Sequence, residues 1–176
     1  MLIDWFDTAP RRVLALVSAI GVGMLAFGLY LQHVVGLEPC PMCIVQRYAM
    51  VLVVLIAALT ALAGRNRGVL IGGSVLVLAA AGFGAFVAAR QSWLQWYPPE
   101  EASCGRDFYG MIETFPLRRA IPMIFKGSGD CSKVDWTFLG GSLANWSFVA
   151  FIFFGLIALV LILRLALRRA NRASYA

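Results

Sequence analysis

The chain has 176 residues, 61% of them apolar and 14% charged, with a net charge of +6 and a mean hydropathy of +0.80. Soluble domains are about half apolar at most, so this composition belongs to a membrane protein and leaves little chain for a separate soluble domain. The positive charges form short clusters with no interleaved aromatic stripe, which argues against a nucleic-acid-binding surface.

Four apolar stretches follow one another. A helix needs about 20 apolar residues to cross the hydrocarbon core, and each stretch meets that length. The first span covers about 13–35 and carries no charged side chain. It is longer than the h-region of a signal peptide and lacks a clear cleavage pattern after it, so it reads as an uncleaved span. The second covers about 44–64, with Arg47 as its only charge, the third about 68–92 and the fourth about 146–164. The expected fold is an all-α integral membrane protein, a single four-transmembrane-helix bundle.

Lys and Arg in the connections give the orientation. Arg11 and Arg12 precede the first span, Arg65 and Arg67 flank the turn between the second and third, and Arg164, Arg168, Arg169 and Arg172 follow the fourth. The loop at about 36–43 has no Lys or Arg, and the long loop at about 95–145 has five against six acidic residues. Both termini and the 65–67 turn are therefore expected in the cytoplasm, with the two longer loops outside. Trp5, Trp93, Trp96, Tyr97, Trp136 and Trp146 sit at span ends, where aromatic belts form. Within the long loop, Phe115 to Phe125 is a mostly apolar segment with Arg118 and Arg119. Pro116 and Pro122 limit helix there, and it suits a short interfacial stretch lying along the headgroups.

All four cysteines, Cys40, Cys43, Cys104 and Cys131, fall in the outward loops or at their edge. Three disulfide connectivities are open, and spacing favours Cys40 with Cys43 and Cys104 with Cys131. A bridge across the second pair would close a long loop and has an obvious structural use, worth about 3–4 kcal/mol in the chain-entropy model. A bridge between Cys40 and Cys43 would close almost no loop, so reactivity is the better reason for that pair. An all-thiolate zinc site is disfavoured, because such sites generally use two tight knuckles and an oxidising compartment works against them.

Pro41 suits the first helical turn. Cys43 is then expected in that turn, near the partial positive charge of the helix N-terminus, with Cys40 at or before the cap and more exposed. Arg47 lies four residues beyond Cys43 on the same helix face. An arginine in the apolar region marks function by default, although its side chain can also snorkel to the headgroups. It would favour a Cys43 thiolate and donate to a carbonyl acceptor arriving from the bilayer. A membrane quinone, ubiquinone or menaquinone, is the simplest such acceptor. No flavin, haem or nicotinamide pattern is present. The lone His33 lacks a convincing second haem ligand, and the glycines of the third span read as helix-packing residues.

Three ordered motifs carry a resemblance: Pro39 to Arg47 (Pro-Cys-Pro-Met-Cys-Ile-Val-Gln-Arg), Leu94 to Pro98, and Ser128 to Cys131 followed by Trp136 to Gly140. With the topology they make the chain similar to the disulfide bond formation protein B family, bacterial inner-membrane thiol:quinone oxidoreductases. The likeness covers nearly the whole sequence. It implies that a periplasmic thioredoxin-fold dithiol oxidase, DsbA-like, attacks Cys104 and releases Cys131. It further implies that Cys131 attacks Cys40, that Cys43 is freed as a thiolate facing the quinone, and that Arg47 holds the two together. One departure stands out: some family members carry histidine near the end of the third span, close to the quinone, where this chain reads Ala89-Arg90-Gln91-Ser92. Gln91 could still donate a hydrogen bond there, and the resemblance makes Gln91 and Gln46 further candidate quinone contacts beside Arg47.

Two other readings compete. A quinone reductase of the vitamin K epoxide reductase type shares the four-helix bundle but should carry its C-x-x-C near a C-terminal span. A non-catalytic scaffold with two structural disulfides leaves Arg47 unexplained.

Overall fold

The computed structural model describes residues 9–98, 134 and 136–173, with side chains through Leu167. Cys104, Cys131 and the 115–125 segment lie outside the described residues. Four long helices, α1 (Pro10–His33), α2 (Pro41–Ala63), α3 (Arg67–Trp96) and α4 (Leu143–Ala173), account for most of the described chain. Each is long and apolar enough to cross a membrane. The protein is an all-α multi-pass membrane protein.

Local chemistry sets the boundaries. Pro10 and Pro41 open α1 and α2, where a missing N–H removes no helical bond. At the far end of α2, Arg11 donates from Nε to the carbonyl of Ala61 at 2.7 Å and from Nη2 to that of Leu62 at 3.2 Å. It thereby satisfies carbonyls that the helix end would otherwise leave open. α3 continues to Trp96, and α4 begins at Leu143 after a two-stranded antiparallel ribbon, β1 (Thr137–Phe138) and β2 (Gly141–Ser142). Leu139 and Gly140 turn the ribbon with φ of 49° and 79°, the pattern of a type I′ hairpin turn. Trp146 on α4 donates its indole N–H to the Phe138 carbonyl at 2.9 Å and pins the ribbon to the helix.

Lipid is as apolar as leucine, so the helices associate through close packing and not by escaping water. A Cβ at Gly84 of α3 would overlap the Phe151 ring on α4, and one at Gly73 would overlap Thr60 on α2. These absent side chains let α3 sit tightly against both neighbours, as its glycines suggested. Leu14, Val17, Val53, Val77, Phe151 and Phe154 fill the shared core. Leu59, Leu62 and Phe86 face outward, as lipid-facing residues do.

Consecutive helices pack against one another, α3 on α4 most extensively, then α2 on α3 and α1 on α2. The pairing that would close the ring, α1 with α4, is far weaker. At the end of the bundle that carries Cys40, this leaves a cavity of about 690 Å³.

Candidate functional site

Cys40 is the N-cap of α2, with extended backbone (φ −65°, ψ 160°), and its sulfur accepts the Cys43 N–H at 3.3 Å. A sulfur here takes the part that a serine or aspartate oxygen plays in most caps. The cap turns Cys43 back over Cys40, bringing the two Sγ atoms to 2.9 Å. The exposures are the reverse of the sequence expectation. Cys40 is buried, at 9%, and Cys43 is half-buried. The cause is tertiary: Cys40 packs with Met42, Val87 and Leu94 in a small apolar cluster between α2 and the end of α3.

Gln91, 3% exposed, lies against both sulfurs. Its Nε2 donates to Cys40 Sγ at 3.3 Å and to Cys43 Sγ at 3.2 Å. Its Oε1 accepts the Nε2 of Gln46 at 2.6 Å, and Gln46 is itself buried. Both glutamines line the cavity, but these amide groups are engaged with each other and with the cysteines.

Arg47 does not reach outward along its own helix. Its Nη1 donates to Gln32 Oε1 in a short hydrogen bond, and its Nη2 to the Gly28 carbonyl at 3.1 Å, both on α1. Gln32 and Gly28 were not singled out in the sequence. The available signal was a glutamine in the last turn of an otherwise apolar span, four residues after a glycine and hence on the same face. A guanidinium has five N–H donors, so three remain after these two bonds. Gln95 and Ser142 form a second unanticipated contact, the serine hydroxyl donating to Gln95 Oε1 at 2.6 Å. It ties the ribbon to the end of α3.

The cavity is therefore built from all four helices and the ribbon. Its walls include Met24, Phe27 and Leu31 of α1, Met50 of α2 and Phe151 of α4, and its polar end carries Cys40, Cys43, Arg47 and Gln91. Trp136 sits over Phe27 edge-on, at 5.8 Å between ring centroids, and stacks on Phe138. Trp136 and Trp146 thus bound this space.

Four membrane-crossing helices with a C-x-x-C pair at the head of the second define a multi-pass membrane protein whose dithiol borders an apolar cavity. Comparison with known proteins makes the class specific. The family model for disulfide bond formation protein DsbB matches residues 10–161. The chain is 75% identical over 169 residues to disulfide bond formation protein B of Polaromonas naphthalenivorans (strain CJ2), covering 96% of this chain and 100% of the relative. It is 71% identical over 171 residues to the protein of that name from Albidiferax ferrireducens, covering 97% and 98%. The chain belongs to the DsbB family of disulfide bond formation proteins.

Proposed function

We propose that this protein is a thiol:quinone oxidoreductase of the bacterial inner membrane, with both termini cytoplasmic, that reoxidises a periplasmic thioredoxin-fold dithiol protein of the DsbA type. The observation that carries this reading is the shared cavity: one apolar space bordered by Cys43, Arg47 and Gln91. Apolar walls suit an isoprenoid quinone and its ring, and the remaining Arg47 donors suit its carbonyl oxygens. A quinone bound there supplies an acceptor for two electrons and two protons.

The rest of the chemistry belongs to the cysteines. A partner thiolate attacks Cys104 of a Cys104–Cys131 bridge, forming a mixed disulfide and releasing the Cys131 thiolate. Cys131 attacks Cys40 of a Cys40–Cys43 bridge, which leaves Cys43 as the thiolate bordering the cavity. The partner's second thiol then resolves the mixed disulfide and the partner departs oxidised, while the freed Cys104 thiolate attacks Cys131 of the Cys131–Cys40 bridge. This restores the Cys104–Cys131 bridge and leaves Cys40 and Cys43 as the reduced pair whose two electrons pass to the quinone. In balance, the partner dithiol loses two electrons and two protons, and the quinone gains them. Arg47, held by Gln32 and Gly28, presents positive charge where negative charge develops.

The test is purified protein with a reduced thioredoxin-fold substrate and a quinone analogue, followed by quinone absorbance. Turnover is expected, and it should vanish in Cys43→Ser and in Cys104→Ser. Wild-type protein that leaves the quinone oxidised overturns the reading. So does a Cys40–Cys43 pair that stays oxidised in cells deprived of quinone.

A further inference from the structure

We infer that Gln91, oriented by Gln46, is a positioning residue that sets the redox equilibrium of the Cys40–Cys43 pair. This rests on reading that pair as redox-active and assigns the two glutamines to the sulfurs.

The argument begins with what an amide can donate. Its NH2 group has two N–H bonds, and here Nε2 lies 3.3 Å from one sulfur and 3.2 Å from the other. One amide group thus serves both cysteines. A side-chain amide can also turn over and present oxygen in place of nitrogen. Gln46 opposes that turn, because its own Nε2 donates to Gln91 Oε1 at 2.6 Å. With the oxygen engaged, the nitrogen faces the sulfurs. Gln91 and Gln46 are 3% and 6% exposed, so water cannot readily replace a lost partner, and breaking either contact is costly.

The bonds discriminate between redox states. A thiolate accepts a much stronger hydrogen bond than a disulfide sulfur, because the bond is charge-assisted. The Gln91 amide therefore stabilises the reduced pair over the bridged one and makes the bridge a better oxidant. Its Oε1 also lies 3.6 Å from Cys43 Sγ, within reach of a thiol proton, so the same side chain serves Cys43 whether ionised or protonated. An amide does this without titrating.

The experiment equilibrates the full-length protein in detergent with glutathione buffers of graded ratio, approached from both oxidised and reduced starting states. Two glutathione thiols reduce the Cys40–Cys43 bridge to two thiols and yield one glutathione disulfide. Alkylation and mass spectrometry of the peptide carrying both cysteines read the outcome. Gln91→Met, similar in length but without a donor, is expected to shift the equilibrium about tenfold toward the bridge, about 30 mV for a two-electron couple. Gln46→Met, which keeps the Gln91 amide but frees it to turn its oxygen toward the sulfurs part of the time, is expected to shift it about threefold in the same direction. The double variant should match Gln91→Met alone, because Gln46 acts through Gln91. Gln46→Glu should also shift it toward the bridge, since a carboxylate would draw the Gln91 nitrogen away from the sulfurs. Thermal unfolding run alongside establishes that each variant is folded. An equilibrium unchanged within twofold in folded Gln91→Met, or independent effects of the two residues that multiply in the double variant, overturns the inference. The measurement needs no quinone, so a failure of the quinone reading is seen separately, as absent turnover in wild-type protein.

Discussion

Arg47 on α2 donates to Gln32 on α1 through a short hydrogen bond, so the one charge inside the second span is held across a helix interface. The Gly28 carbonyl takes a second donor from the same guanidinium. Together they orient a side chain that would otherwise be long enough to reach the headgroups.

This contact predicts a graded effect on the acceptor half of the reaction. Gln32→Leu should raise the apparent KM for a quinone analogue by about 3- to 10-fold, the worth of one hydrogen bond. Arg47→Ala should raise it further. Arg47→Lys should behave more like alanine than like wild type, because one ammonium cannot hold two fixed acceptors and still face the cavity. Steady-state quinone absorbance, with thiol exchange at Cys104 measured in parallel, checks this. Equal loss of both half-reactions would refute the role given to Arg47.

The N-cap separates folding from chemistry at Cys40. Serine is a good cap, so Cys40→Ser should retain wild-type thermal stability while losing all turnover. Cys40→Ala removes the cap as well as the reactive atom and should cost about 1 kcal/mol more. A thermal melt of each variant beside the turnover assay distinguishes the two losses. Equal melting of the serine and alanine variants would show that the sulfur does not act as a cap.

Two glycines in one helix should behave differently. Gly84→Ala forces a methyl into the Phe151 ring and is expected to destabilise by about 1–3 kcal/mol. Gly82→Ala meets nothing within 4 Å and should be neutral or slightly stabilising, since alanine favours helix. Combining Gly84→Ala with Phe151→Leu should recover part of the loss. Unfolding titrations in mixed micelles provide the comparison.

The ribbon turn carries a correctable strain. Leu139 is 81% exposed and sits at φ 49°, a conformation costing a residue with a Cβ roughly 1–2 kcal/mol. Leu139→Gly should therefore stabilise the ribbon without loss of packing, whereas Gly140→Ala should weaken it. Trp146 fluorescence during thermal melting reports on the ribbon directly, because its indole is bonded to Phe138.

The sequence on its own determined the four apolar helices, because crossing hydrocarbon demands long runs of apolar residues whatever the neighbours are. It also determined the head of α2: Pro41 and the Cys40–Cys43 spacing are local, and local rules suffice for a cap and a first turn. The glycines of α3 announced close packing, though only the neighbouring helices decided that Gly84 and Gly73 are the positions used and Gly82 is not. The ribbon was missed, because four residues of strand are too few to show a period. The exposures of Cys40 and Cys43 came out reversed, because burial at a helix cap depends on the chain that covers it, here α3. Gln32 could not be matched to Arg47, nor Gln91 to the two sulfurs, from a linear chain. Those partners lie on other helices, and their bonds exist only once packing brings buried polar groups within about 3 Å of one another. Membrane crossing was written in composition, whereas the polar end of the cavity was decided by which helix faces which.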